Sequence, residues 1–252
     1  MSAGSDGALK VRGDDAKTVV VKHGSPLGVG LDADAVYWAD IDHIWRAPRG
    51  SSDAKQVVEI DDAPTAFVVA DHYVYWATGT TVRRAPAAGG TSETIYQSTI
   101  PHAHIKRLAI SGHELVAAIS YTIADEAFKT EVWRLDGDFR KLAEADGDAE
   151  GLVVDGARAV VGVLSKSSRQ VISFAADGGS KAPDAPIEGA VLAARDGTVY
   201  VSRDDGSYAI DPSGVARRIG PRAKEAVVVG SRLYGVFEGP QRVQVLGSIA
   251  IR

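Results

Sequence analysis

Cysteine is missing from the 252-residue chain altogether. Disulfides, thiolate metal sites and cysteine nucleophiles are thereby excluded. The compartment is not fixed by this, since reducing and oxidising environments both tolerate cysteine-free proteins. Long apolar runs are missing too. None approaches the ~18 residues that a membrane-crossing helix needs, so no span is expected. The opening Met-Ser-Ala-Gly-Ser-Asp-Gly has neither a charged n-region nor an apolar h-region. Residues 1–7 therefore read as a flexible leader. They are either a cytoplasmic start or the remnant of a removed signal, which would place the protein in the periplasm or on the cell surface.

Positive charge is in short supply. Twenty-eight Lys and Arg face 33 Asp and Glu, a net charge of −5. That balance excludes nucleic acid as the expected partner, because phosphate binding needs a basic face. Arg83-Arg84 and Arg217-Arg218 are local exceptions, but neighbouring strand residues point to opposite faces, so neither pair makes a basic stripe. Nucleophilic catalysis has no sequence support, there being no Gly-x-Ser-x-Gly elbow. Gly28-Val29-Gly30 lies inside a strand pattern and opens no helix, so it is not a phosphate loop.

Helical periodicity is equally scarce. The best window, Arg140 to Glu150, is short and interrupted by Gly147, which argues against a helix. What fills the chain instead is strand chemistry: apolar runs of four to six residues, rich in Val and Ile, separated by Gly, Asp, Pro and Ser. The hairpin pattern Tyr37-Trp38 … Ile44-Trp45-Arg46-Ala47-Pro48 returns as Tyr75-Trp76 … Val82-Arg83-Arg84-Ala85-Pro86, at an offset of 38 residues. Aligned on such strands, unit centres fall at Tyr37, Tyr75, Val116, Val161, Tyr200 and Tyr234, at intervals of 38, 41, 45, 39 and 34. Apolar strands precede the centres at Leu27 to Leu31, Ala66 to Ala70, Ile105 to Ile110, Gly151 to Val154, Val191 to Ala194 and Ala226 to Val229. A third strand follows each centre, and a more polar fourth follows most of them, with Lys181 to Ala185 filling that place in the fourth unit.

Units of roughly 40 residues with four strands each match the blades of a β-propeller. The expectation is an all-β, six-bladed β-propeller with four antiparallel strands per blade, occupying residues 1–252 as a single domain. The first strand of each unit, as in Phe67-Val68-Val69, is expected to be the most covered. Thr18 to Lys22 is expected to supply the outer strand of the last blade and close the ring; Ser248 to Ile251 is the alternative.

Tyr37-Trp38-Ala39-Asp40 and Tyr75-Trp76-Ala77-Thr78 resemble the Tyr-Trp-Thr-Asp repeat of the six-bladed propellers in low-density-lipoprotein-receptor-type proteins. The Trp-Arg-Ala-Pro and Arg-Arg-Ala-Pro strands look more like bacterial relatives of the myxobacterial sort. The resemblance implies a rigid disc whose faces bind proteins or small ligands. It also implies that Tyr37, Trp38, Tyr75 and Trp76 pack between blades and that Asp40 braces a neighbouring strand or turn. Thr78 departs from the acidic position. Read without the resemblance, large strand aromatics are again core before they are binding surface.

In such a fold the hairpin tips between second and third strands share one face with the loops leading into each first strand. Candidate binding residues on that face are Asp40, Asp42, His43, Asp61, Asp62, His102, His104, Asp125, Glu126 and Arg222. His102 and His104, two apart at a strand entrance, could point the same way and, with Asp61 or Asp62, hold a divalent metal; a solvated loop after Pro101 is the other reading. Asp40-Ile41-Asp42 has oxygen spacing suited to calcium, or is simply a turn held by side-chain-to-backbone bonds. No other cofactor is implied. The functional expectation is a non-catalytic binding or scaffold module recognising a protein or polymer on one face. The alternative is a metal-dependent, lactonase-like hydrolase or lyase with its site at the channel mouth. Oligomeric state is not legible.

Overall fold

Runs of Val and Ile punctuated by Gly and Asp fold into strands, and among the described residues into nothing helical. The computed structural model describes residues 27–48, 51, 53–123, 127–135, 137, 139–156, 158–166, 168–175, 187–229, 231–238 and 244–251. The chain divides into two compact units, 1–108 and 109–252.

In the first unit, β1 (Gly28–Leu31), β2 (Ala35–Ala39), β3 (His43–Pro48) and β4 (Lys55–Glu59) form one sheet in chain order. A second sheet follows with β5 (Ala66–Ala70), β6 (Tyr73–Thr78), β7 (Thr81–Pro86) and β8 (Glu93–Gln97). The third consists of β9 (Ala103–Ser111), which runs across the division between the units, then β10 (Glu114–Thr122), β11 (Phe128–Arg134) and β12 (Arg140–Asp146). The second unit continues with β13 (Asp148–Asp155), β14 (Arg158–Leu164), β15 (Arg169–Ala175) and the short β16 (Ile187–Glu188). It ends with β17 (Ala190–Arg195), β18 (Thr198–Arg203), β19 (Gly206–Ile210) and β20 (Ala216–Gly220), then β21 (Ala223–Val229), β22 (Arg232–Glu238) and β23 (Gln244–Ala250). The window Arg140 to Glu150 is thus strand β12 and the start of β13. All six unit centres sit in second strands.

The 38-residue repeat holds in the backbone as well as in the side chains. The β3–β4 ladder slips between Ile44 and Trp45, and the β7–β8 ladder slips 38 residues later between Val82 and Arg83. Bulges of this kind bend and twist a strand, so corresponding sheets are curved at corresponding positions.

Two expectations are corrected. The first strand is not the most covered. All five residues of β2 are buried and the middle four of β6 are buried, whereas Val29 and Leu31 of β1 are 42% and 39% exposed and β5 is half-buried throughout. A second strand has hydrogen-bonded neighbours on both sides; a first strand is a sheet edge. Ser248 to Ile251, weighed as a fourth strand, instead runs into the third strand β23, where Ser248, Ile249 and Ala250 pair with Tyr234, Leu233 and Arg232. Among the described residues this last sheet has three strands. Thr18 to Lys22 and Lys181 to Ala185 lie outside the described residues.

Neighbouring sheets meet in two ways. Where backbones come close, glycine is required: a Cβ on Gly28 would lie 2.7 Å from the Cβ of Phe67, and one on Gly30 would lie 2.4 Å from Cγ2 of Val69. Gly28-Val29-Gly30 therefore serves sheet packing. Elsewhere a hydroxyl pins one sheet to the next, through a half-buried bond at Thr65 and from buried side chains at Ser120 and Ser207. Thr65 Oγ1 donates to the carbonyls of Ala77 (3.2 Å) and Ile105 (2.7 Å). Ser120 Oγ accepts from the Ala149 amide (2.9 Å) and pairs with Thr130, whose hydroxyl donates to the Gly147 carbonyl. Ser207 Oγ donates to the Pro221 carbonyl (2.7 Å) and accepts from the Ala223 amide (3.1 Å).

Candidate functional site

The β2–β3 turn is held by one side chain. Asp40 is only 6% exposed. Its Oδ1 accepts the backbone N–H groups of Asp42 (3.1 Å) and His43 (2.7 Å), and its Oδ2 accepts the Trp45 indole N–H (2.8 Å). The Asp40 amide in turn donates to the His43 carbonyl at 2.9 Å. A short Asp-x-Asp turn folds this way because an aspartate caps the amides two and three residues ahead. The consequence is a rigid tip with Ile41 65% exposed at its apex. Beside it the His43 ring lies 2.5 Å from Asp42, through Nδ1 and Oδ1, and holds the Asp42 carboxyl below its ordinary pKa. The His43 and Trp45 rings sit 5.5 Å apart, and Trp45 stacks on buried Trp38 at 6.5 Å.

Backbone hydrogen bonds bring the next loop to the same edge of the sheet. The Ile60 amide donates to the Asp42 carbonyl at 2.8 Å, which sets Asp61 and Asp62 beside the tip. Asp61 binds the Arg83 guanidinium at 3.0 Å, and Asp62 is exposed. The second sheet repeats the arrangement: the amides of Ser98 and Ile105 donate to the carbonyls of Thr80 and Gly79 at the β6–β7 tip. His102 and His104 flank that loop and are both exposed. His102 lies in a turn with φ +56°, not in a strand, so strand alternation does not govern how the two rings are directed.

Among the described residues, one group of three ligating side chains has its ligand atoms within 4.8 Å of one another: Asp40, Asp42 and His43. His102, His104, Asp61 and Asp62 are not in it. As a metal site the group is poorly provisioned. Both Asp40 oxygens already accept N–H groups, so only Asp42 and His43 offer full ligands, fewer than the three or four a zinc site uses. In the second unit Arg222 pairs with Asp204 at 3.7 Å, joining the β18–β19 tip to the loop into β21. Asp125 and Glu126 lie outside the described residues.

The aromatic framework is buried: Tyr37 is 1% exposed, Trp38 0%, Tyr75 9% and Trp76 1%. Its hydroxyl ends carry polar partners that the sequence did not announce. Tyr37 donates to Asp32 (2.6 Å) and accepts from Arg46 (3.1 Å). Burial by itself would raise the Asp32 pKa. The Tyr37 hydroxyl and the amides of Asp34 and Ala35 outweigh it and hold the carboxyl below its ordinary value. The available signal was positional: Arg46 and Arg84 stand opposite Tyr37 and Tyr75 in the strand registers.

No protein family's sequence pattern matches the chain, and no characterised protein matches it by sequence. Solved structures do match in shape. A chain of the nidogen/laminin complex is 16% identical, with 82% of this chain and 86% of that one covered at a TM-score of 0.61. The β-propeller domain of the trilobed protease from Pyrococcus furiosus is 12% identical, covering 89% and 80% at 0.61. A gluconolactonase from Xanthomonas campestris is 14% identical, covering 89% and 85% at 0.60. At these identities the likeness speaks for fold alone, and it agrees with the sheet-by-sheet topology: the chain has the β-propeller fold.

Proposed function

We propose that the protein is a non-catalytic binding module that recognises a protein or polymer through the edge built from the β2–β3 tip and the loop beside it. The observation that carries this is the tip itself. A buried carboxylate spends three hydrogen bonds on holding an exposed Ile41 and Asp42 in one conformation. Preorganisation of this kind lowers the ordering cost of binding. Asp42, His43, Asp61 and Asp62 would form the polar rim around Ile41, with His102 and His104 extending it along the second sheet. We further propose the finer assignment: a propeller of the Tyr-Trp-Thr-Asp type, with six blades in a single ring that Thr18 to Lys22 closes by joining the three-stranded last sheet. The nidogen/laminin likeness is compatible with a protein partner.

The test is affinity capture with crosslinking from the source cells, comparing the native chain with Ile41→Ser and Asp42→Ala. Partners held by the native chain and lost by both variants are expected; identical partner sets would overturn the reading.

A second reading, a metal-dependent hydrolase or lyase, has one observation in its favour, the Asp40, Asp42 and His43 group, and the gluconolactonase likeness is compatible with it. It requires at least one further ligand. Calorimetric titration with calcium and with zinc decides it: saturable binding lost in Asp42→Asn supports the metal site, and no heat removes it.

A further inference from the structure

Three of the six sheets carry an arginine on the third strand, opposite the centre of the second. Arg46 stands opposite Tyr37, Arg84 opposite Tyr75 and Arg134 opposite Val116. In the first two the guanidinium binds the tyrosine hydroxyl. The fifth sheet keeps the tyrosine and drops the arginine: Tyr200 faces Ala209. Replacing so long a side chain by a methyl leaves space, and a cavity of about 470 Å³ opens there, lined by Tyr200 and Ala209 with Arg195, Arg217, Thr198 and Ser231.

Three features give this cavity a definite chemistry. Tyr200 is 6% exposed and lines the cavity; its hydroxyl has no hydrogen-bond partner among the described residues, unlike those of Tyr37 and Tyr75. Burial raises its pKa, with Arg195 and Arg217 pulling the other way, so at neutral pH it is an O–H donor. Next, two guanidiniums line the space: Arg195 at the end of β17, and Arg217 on β20 directly opposite Ala209. Lastly, the carboxylates here, Asp211 in the lining itself among them, already hold hydrogen bonds or ion pairs. Asp211 Oδ1 accepts from the amides of Ser213 and Val215 and from the Ser213 hydroxyl. Asp155 accepts the Gly197 amide, and Asp196 pairs with Arg195 on the solvent side. In the lining itself, two guanidiniums and the Tyr200 hydroxyl thus stand against the one carboxylate of Asp211.

We infer that this cavity in the fifth sheet binds a small oxyanion-bearing ligand, a carboxylate or a phosphate, gripped by Arg195 and Arg217 with the Tyr200 hydroxyl as a third donor. Planar guanidiniums suit both groups because each offers paired oxygens. The site lies wholly in the second unit and stands independently of the tip described above.

Calorimetry on the full chain in a zwitterionic buffer tests it, with inorganic phosphate and succinate as separate probes. One-site saturable binding of either is expected, and which one binds identifies the source of the oxyanion. Arg217→Gln should weaken it by about tenfold or more, the usual worth of one charge-assisted contact. Ala209→Arg should abolish binding by restoring to Tyr200 the partner that its counterparts have. Tyr200→Phe removes one oxygen without a change of shape, and should weaken binding several-fold while leaving the circular dichroism spectrum unaltered. Exposed Arg140→Gln should change nothing. Absence of heat from both probes would overturn the inference. So would native-like binding by Ala209→Arg and Tyr200→Phe, or equal weakening by Arg140→Gln.

Discussion

Replacing Asp40 by alanine should damage the protein more than any other single change in its turns. Three hydrogen bonds end on this carboxylate. The bond from the Trp45 indole is charge-assisted and half-buried, and bonds to ionised groups contribute about 1.5–3 kcal/mol. The amides of Asp42 and His43 sit at an exposed turn where water replaces the lost oxygen, so each adds only about 0.5 kcal/mol. The expected cost is therefore about 2.5–4 kcal/mol, a midpoint shift on the order of 5–15 °C for a domain of this size. Asp40→Asn separates the contributions. Its amide oxygen can keep the turn, but its NH₂ then faces the Trp45 N–H, donor against donor. About three-fifths to three-quarters of the alanine effect should remain. Tryptophan fluorescence during urea unfolding suits the measurement, because Trp38, Trp45 and Trp76 lie in the first unit and only Trp133 in the second. Far-UV dichroism follows both units and shows whether the transition stays two-state. Should Asp40→Ala lie within about 0.5 kcal/mol of the native chain, the ordinary range for a surface change, the bracing role assigned to this residue is wrong.

Other perturbations have equally definite outcomes. Gly28→Ala places a Cβ 2.7 Å from the Phe67 Cβ, and since neither atom can rotate away the cost should be about 1–3 kcal/mol; unchanged urea stability would contradict it. Ser120→Ala strands the Ala149 amide and removes a partner from Thr130; hydrogen exchange at Ala149 should accelerate markedly, with about 1–3 kcal/mol lost. Asp32 has a folded-state pKa below its unfolded value, so its stabilisation is present above the ordinary carboxylate range and is lost as pH falls through the folded pKa. Acid unfolding below about pH 4 should therefore be shallower in Asp32→Asn; identical acid profiles would show that the Tyr37–Asp32 bond contributes nothing.

Fold was largely legible because it rests on period and punctuation. The 38-residue offset between Tyr37 and Tyr75 placed two whole sheets, and glycine and aspartate turns placed the rest. Burial was misjudged in β1 and β5 because apolar composition does not tell an edge strand from an interior one. At the tip, the Asp-x-Asp spacing announced a held turn, but not that Asp40 would be buried by reaching Trp45 five residues on. The fifth-sheet cavity left no local mark at all. It becomes visible only when Ala209 is compared with Arg46 and Arg84 in register, and register is a property of paired strands. Likewise Ser120, Ser207 and Thr65 are ordinary polar residues in sequence; their pinning role depends on which backbone the adjacent sheet presents.

Those pins have a consequence for how such a chain can change. Each hydroxyl belongs to one sheet and satisfies the backbone of the next, so the smallest part that can be duplicated, deleted or exchanged is not the sheet alone. It is the sheet together with the first strand of its successor. A recombination joint cut through the loop ahead of β13 or β21 would separate Ser120 from Ala149, or Ser207 from Ala223, and leave a buried amide without an acceptor at the seam. Joints cut in the hairpins between first and second strands would carry each serine hydroxyl and its amide across together. In repeat architectures, where stability is summed over neighbours, that difference decides which shuffled chains fold.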